Sequence, residues 1–288
     1  YQGTTTLTNS DLSITSSPNT YAKTAKATLE IGGSGSLSSS NIVNAGLLIF
    51  NSSLDQSING VLSSSGSVIQ NGSGIITFNN SNTRNGATYL NTSTLKVANN
   101  NGFGSGVVYE VKDSNSTIDL NGYSIPNNIR IYGTGVNGLG ALINSNSTQG
   151  SVTGLVALNA NSSIGGANNI ELTNIISGAF NLTKDGTGTL TLSGANSYTG
   201  LTTISAGVIR ASNNTALGTI AGGVTVASGA ALELSGGITI GAEALTLNNT
   251  GISSGGALRN ISGDNTYQGA ITLSTNATRI NSDSGTLT

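Results

Sequence analysis

The sequence predicts an all-β protein of one architecture: a right-handed parallel β-helix (a β-solenoid), elongated, with almost no α-helix. Three observations carry that expectation. First, "TLTL" (189–192) sets Leu190 and Leu192 opposite Thr189 and Thr191, and "ALEL" (231–234) and "TIDL" (117–120) alternate in the same way. Period-two runs of four or five residues bounded by Gly and Asn are strand signals. Second, the 35 residues from Lys184 to Gly218, "KDGTGTLTLSGANSYTGLTTISAGVIRASNNTALG", align without a gap to Gln70–Gly104, 114 residues upstream. Third, no segment sustains a helical i, i+3, i+4, i+7 stripe flanked by caps.

A sandwich or barrel would also be all-β, but it needs hairpins and does not predict a long repeat. A β-helix does, because each coil stacks on one shaped like itself, with Val, Leu and Ile in inner ladders and Gly, Asn and Ser in the turns. At roughly 20 to 25 residues per rung the chain makes about 12 to 14 rungs, and at about 4.8 Å per rung the rod is on the order of 60 Å long.

Taken in order, residues 1–56 read as the end of a preceding unit, because "YQGTTTLTNS" (1–10) matches "YQGAITLSTN" (267–276). Residues 57–171 and 172–288 read as two further units. "STIDLNG" (116–122) matches "AALELSG" (230–236) at 114 residues, and "GLGALINSNS" (138–147) matches "SGGALRNISG" (254–263) at 116. The whole, 1–288, is expected to be one continuous solenoid, with no insertion longer than a turn.

Composition narrows the function classes. The chain has 288 residues, 36% apolar and only 8% charged, with net charge −2. Disorder needs low hydrophobicity together with high net charge, which this is not. The 41 glycines and two prolines (Pro18, Pro126) fit many tight turns and few breaks in strand pairing. With no Cys there is no disulfide framework and no thiol chemistry. Charge blocks are absent, so there is no electrostatic case for nucleic acid or an anionic membrane. No run approaches the roughly 18 apolar residues of a spanning helix, so no direct membrane insertion is expected. The lack of Met marks the chain as a processed product or an excerpt. Tyr1 and the closing "SGTLT" both fall inside motifs, so both ends are expected to abut more protein.

The stretch 184–218 resembles the autotransporter-associated β-strand repeat, whose pattern runs G-x-G-T-L-T-L-S-G, then N-T-Y-T-G-x-T-x-I, then A-L-G. Gly186, Gly188, Leu190, Leu192, Gly194, Asn196, Tyr198, Gly200, Ile204, Gly207 and Ala216-Leu217-Gly218 match. Residues 70–104 match more weakly: Arg84 replaces the Tyr, Thr92-Ser93 the Ala-Gly and Gly102-Phe103 the Ala-Leu. Residues 265–288 and "YQGTTTLTN" at the start resemble the same family. The resemblance implies a β-helical passenger or stalk of a bacterial surface protein, exported across an outer membrane and displayed outside the cell or secreted as a fibre. A translocator barrel would show strands of about 10 residues with aromatic girdles, and aromatic residues are only 4% here.

The sequence offers no catalytic residue, no cofactor-binding residue, no metal ligand and no cofactor. A lyase or hydrolase needs converging carboxylates or a metal-held base. The densest acidic group is Glu110, Asp113 and Asp119 beside Lys112, and its downstream counterparts are Val224, Ala227 and Glu233. These read as solvated turns. "GGSGSL" (32–37) has the glycines of a calcium β-roll without the Asp, and Asp264 and Asp283 are single acids in turns. Tyr1, Tyr198 and Tyr267 share a "YxG" position. A sugar-stacking column is one reading; the plainer one is a Tyr over a strand-to-turn corner with its hydroxyl in water. Lys96 and Arg210 read as outward charges that discourage lateral aggregation. Asn99-Asn100 and Asn213-Asn214 read as turn ladders. "GTTTLT" (3–8) and "TGLTT" (199–203) suggest ice-binding threonine ranks, but Asn, Ala, Ser and Arg interrupt them.

The expected function is a non-catalytic extracellular structural protein: a segment of a cell-surface stalk or filament serving adhesion, reach or matrix formation. Its partners would be copies of itself or adjoining repeats end to end, and surface glycans or other cells. The alternative is a glycan-binding or polysaccharide-degrading passenger on the same scaffold.

Overall fold

The computed structural model describes residues 5–7, 28–33, 41–110 and 115–288, which form a parallel β-solenoid of about 12 turns. No α-helix occurs among them. "YQG" at the start, most of "GGSGSL", and Lys112 and Asp113 lie outside the described residues.

Each turn lays short strands on three faces. One turn contributes Ile42–Asn44, Leu47–Ser52 and Gln56–Ile58; the next contributes Leu62–Ser63, Ser67–Gln70 and Ile76–Phe78. Each strand pairs in parallel with the one a turn later: Ile42 with Leu62, Leu47 with Ser67, Gln56 with Ile76. The strand alternation decides which side chains enter the core. Leu190 and Leu192 are buried while Thr189 and Thr191 are half-exposed. Stacking then turns each inward position into a ladder. Leu190, Ile209, Leu232 and Leu258 succeed one another on one face, all buried. Burying each such side chain contributes about 1.5–3 kcal/mol.

An 18-stranded sheet covers the second and third faces, joined where Val156–Gly165 runs from one to the other. An eight-stranded sheet lines the first face from Ser124–Ile125 to Ile280–Ser282. Rung length varies: 20 residues separate Val68 from Thr88, but 27 separate Ile129 from Val156.

This variation puts the repeat out of phase with the coil. On the second face Val68, Thr88, Val108, Ile129, Val156 and Ile176 stack in succession, five full turns. The residue 114 positions beyond Val68 is Leu182, on the next face. On the third face Ile76, Leu95, Ile118, Leu142, Ile164 and Lys184 also stack over five turns. The counterpart of Ile76 is Leu190, again one face on. The repeat therefore spans about five and a third turns, and equivalent residues point a third of a revolution apart.

Two loops recur at matching positions of the two units, 116 residues apart. Val136–Gly138 and Ile252–Ser254 are one-turn 3-10 segments in loops that leave the wall. They have the same backbone: Gly135 and Gly251 at φ 74° and 75°, then Asn137 and Ser253 at φ 54° and 48°. The left-handed conformation suits Gly and is tolerated by Asn, and sequence reading gave these loops only as a weak 116-residue echo.

Candidate functional site

The most repeated polar feature is an inward one. Asn82 Oδ1 accepts from the Leu62 N–H at 2.7 Å, and its Nδ2 donates to the Gly102 carbonyl. Downstream, Asn196 Oδ1 accepts from Ile176 N–H at 2.8 Å and Nδ2 donates to Ala216 O at 2.6 Å. Each amide bridges three rungs, beside backbone bonds such as Thr83 N–H to Leu62 O and Ser197 N–H to Ile176 O. A third copy begins the same way, with Asn265 Oδ1 accepting from Ile238 N–H at 2.7 Å.

Two residues on, the chain turns Arg84 and Tyr198 inward, both fully buried. This corrects the expectation of a Tyr hydroxyl in water. Tyr198 Oη bonds Thr202 Oγ1 at 2.7 Å, and Arg84 Nη2 donates to Thr88 Oγ1, the threonine four residues on in each case. Arg84 Nη1 also donates to Gly86 O at 2.8 Å. Gly104 and Gly218, at φ 69° and 91°, let the next rung close on Arg84 and Tyr198, where an added Cβ would meet the backbone oxygens at 2.2 and 2.5 Å. A Cβ on Gly104 would lie 2.9 Å from Arg84 Cγ, and one on Gly218 3.0 Å from Tyr198 Cε2. Burial lowers Arg84 to about 10, still charged at neutral pH, and pushes the Tyr198 phenol up.

Gln70 and Lys184, also 114 apart, tie the next corner. Gln70 Nε2 donates to Gly72 and Gly74 carbonyls. Lys184 Nζ donates to Asp185 O at 2.8 Å, Gly186 O at 2.7 Å and Ala206 O at 3.2 Å. Burial lowers Lys184 to about 8.

In the third copy the residue four beyond Tyr267 is Ile271, not threonine, and the Tyr267 hydroxyl has no partner among the described residues. Glu243 is 2% exposed with both carboxylate oxygens unpaired, and burial raises it to about 7. Its charge adds to burial in raising the Tyr198 and Tyr267 phenols. Nothing in the linear sequence marked Glu243, because its burial depends on a corner where the Gly269 backbone closes over it.

Of the acidic group near 110–119, the described members Glu110 and Asp119 do not converge. Glu110 points into the core, where burial raises it well above the usual carboxylate range; Oε2 accepts from Tyr132 N–H at 2.7 Å. Asp119 lies on the outer side of a different face, 3.6 Å from Lys96 Nζ and accepting from Asn121 and Ser145 N–H groups. Its counterpart Glu233 pairs with Arg210 at 2.9 Å and Arg259 at 2.8 Å. Neither acid is a solvated turn residue; both are rung-to-rung ties. Asp283 pairs with Arg259, and Asp264 accepts from Thr286 N–H at 2.8 Å. Asn99 and Asn213 do not stack in ladders: their Oδ1 atoms accept from Asn101 and Thr215 N–H within the turn. Asn100 and Asn214 accept from Ser124 and Thr239 N–H one rung on. A groove of about 310 Å³ beside Leu139 and Asp185 is lined mostly by Gly and Ala and gathers no second ionisable group.

Outward ranks differ between the copies. On the third face Thr183, Thr203, Thr225, Thr246 and Thr272 stack without interruption. Uneven rung lengths hid this rank from the sequence. The positions two residues along carry Asp185, Ser205, Ala227, Asn248 and Ser274, so no paired Thr-x-Thr rank exists there. The corresponding upstream rank, on the second face, is Ile69, Tyr89, Tyr109 and Arg130. The Tyr89 and Tyr109 rings stack at 5.2 Å and 12°, and the Arg130 guanidinium carbon lies 4.8 Å from the centre of the Tyr109 ring.

Residues 182–211 match the family model described as Passenger-associated-transport-repeat. That stretch holds Lys184, Asn196, Tyr198 and Thr202. The match and the solenoid together fit an autotransporter-associated β-strand repeat. No curated protein and no solved structure matches the chain.

Proposed function

Starting from a chain that carries an autotransporter-associated β-strand repeat, we propose a non-catalytic passenger-type stalk segment, displayed on a bacterial surface or secreted, serving adhesion, reach or matrix formation. One observation carries this reading. The residues that make the family match point inward or tie one rung to the next: Asn196 bridges three rungs, Lys184 closes a corner and Tyr198 fills the core. The matched residues serve assembly of the rod, as a scaffold requires. In this reading the partners are further repeats stacked along the axis, since the two copies already join through an unbroken run of paired rungs. A solenoid of this kind gains stability locally from each rung and its neighbour, so length can grow without a new core.

Electron microscopy of the full-length parent on cells or in culture fluid tests the stalk. Extended rods bearing this segment support it; a globular particle overturns it. Turnover assays on a panel of polysaccharides test the absence of catalysis: saturable turnover abolished by one substitution would sink that part.

A further inference from the structure

We propose that the inner corner formed by Thr219, Glu243 and Tyr267 is a binding site for an alkali metal cation. Its upstream counterpart shows what the position ordinarily holds. Val108 pairs with Ile129 and Val224 with Leu245, and Asn127 and Glu243 each lie two residues before the second member. Glycines frame both. A Cβ on Gly154 would strike Asn127 O at 2.1 Å, and one on Gly269 would strike Glu243 O at 1.5 Å, so the next coil closes on each in the same way. On the rung beneath, Gly106 lies against Gly86 O and Gly222 against Gly200 O.

Asn127 and Glu243 are both buried. Asn127 Nδ2 donates to the Gly104 and Gly106 carbonyls at 2.9 and 2.7 Å. The corresponding glycines downstream are Gly218 and Gly222. A carboxylate in the amide's place brings oxygens and no N–H, and neither Glu243 oxygen has a hydrogen-bond partner among the described residues. Two more orphan oxygens flank it. Thr219 sits in the turn of the rung beneath, where its carbonyl accepts from Gly222 N–H, and Tyr267 lies two residues before Gly269 on the rung above. Thr219 Oγ1 and Tyr267 Oη are buried without a partner among the described residues. The Glu243 charge acts on the Tyr267 phenol, so the two groups share one electrostatic neighbourhood.

Charge selects the occupant. A buried carboxylate with neither an ion pair nor a donor is strongly unfavourable, and Glu243 takes part in none of the ion pairs among the described residues. Carboxylate, hydroxyl and carbonyl oxygens are the ligands of hard cations. Glu243 supplies one negative charge, and no group of three or more acidic side chains gathers among the described residues. A divalent ion would leave a net positive charge in the core; an alkali cation leaves none. The inference does not depend on the stalk reading, because a rod of any role can carry this corner.

The test is thermal melting of the purified chain at about pH 8 in sodium, potassium, calcium and choline chloride at equal ionic strength, with Glu243 largely ionised. Sodium or potassium is expected to raise the Tm over choline by on the order of 2–4 °C, as a ligand that binds only the folded state does. Glu243→Gln is expected to abolish the difference and Tyr267→Phe to reduce it. Glu171→Gln removes an acid from the outer wall and should keep it. Circular dichroism confirms that each variant is folded. Equal melting in all four salts overturns the proposal and leaves the corner to a protonated acid. So does a calcium response larger than that of sodium and potassium, or a response that survives in Glu243→Gln or vanishes in Glu171→Gln.

Discussion

Arg84 and Tyr198 occupy one position of two copies, yet differ in charge, shape and chemical class. Both are buried, both reach the threonine four residues on, and both lie over a glycine with positive φ. The outer wall behaves the opposite way: the rungs there are as regular, but Ile-Tyr-Tyr-Arg in one copy faces Thr-Thr-Thr-Thr in the other. The interior thus specifies a task, to fill a corner and satisfy a hydroxyl, and accepts more than one side chain for it. The exterior specifies only a β-compatible residue, and is free to acquire chemistry.

The largest test of this contrast is at the corner. Tyr198→Ala should cost about 3–5 kcal/mol, the range for emptying a buried aromatic site. Arg84→Tyr should stay within about 1.5 kcal/mol of wild type, as volume-compatible core swaps do. Urea titrations of both variants check this. A large loss in Arg84→Tyr would mean the two corners are not interchangeable.

Next come the rung-bridging amides. Asn82→Ala and Asn196→Ala each strand a buried N–H and a buried carbonyl, at about 1–3 kcal/mol per group. The two losses should agree closely, because both amides make the same pair of bonds. Clearly unequal urea midpoints would break the equivalence.

Glu243, like Glu110 upstream, is a glutamate that burial raises above the usual carboxylate range. Its folded value of about 7 lies above the ordinary 4.5, so the folded state holds its proton more tightly than the unfolded chain. Stability should therefore fall as pH rises from about 4.5 to about 7 and level off above that. Glu243→Gln should reduce this dependence in melts recorded across that window, leaving the share that buried Glu110 contributes. A wild-type profile that rises with pH there would contradict the burial. The smallest effects belong to the outer ion pairs. Lys96→Ala and Arg210→Ala should each cost at most about 1 kcal/mol, and less at high salt.

Much of the wall was legible in the sequence. Leu190 and Leu192 alternate with threonine, and each stacks on an apolar residue of the neighbouring rung. What was not legible depends on where a rung closes. The segment containing Tyr198 is not a regular strand and carries no long alternation, so its inward direction is invisible until the Asn196 amide bonds are seen. The threonine rank was hidden because its members are 20, 22, 21 and 26 residues apart, a spacing no fixed period detects. Glu243 was missed for a related reason: a glutamate between two alanines looks solvated until the next coil folds over it.

The five-and-a-third-turn repeat has a mechanical meaning as well. Were further copies added at the same pitch, the weak and strong points of each would wind round the rod as a staircase, returning to their starting azimuth every third copy. Bending stiffness would then average over all directions, as in a twisted cable, with no single seam along which the shaft folds. A flat partner pressed against such a shaft would meet any one patch once in three copies, at intervals of about 16 rungs or roughly 75 Å.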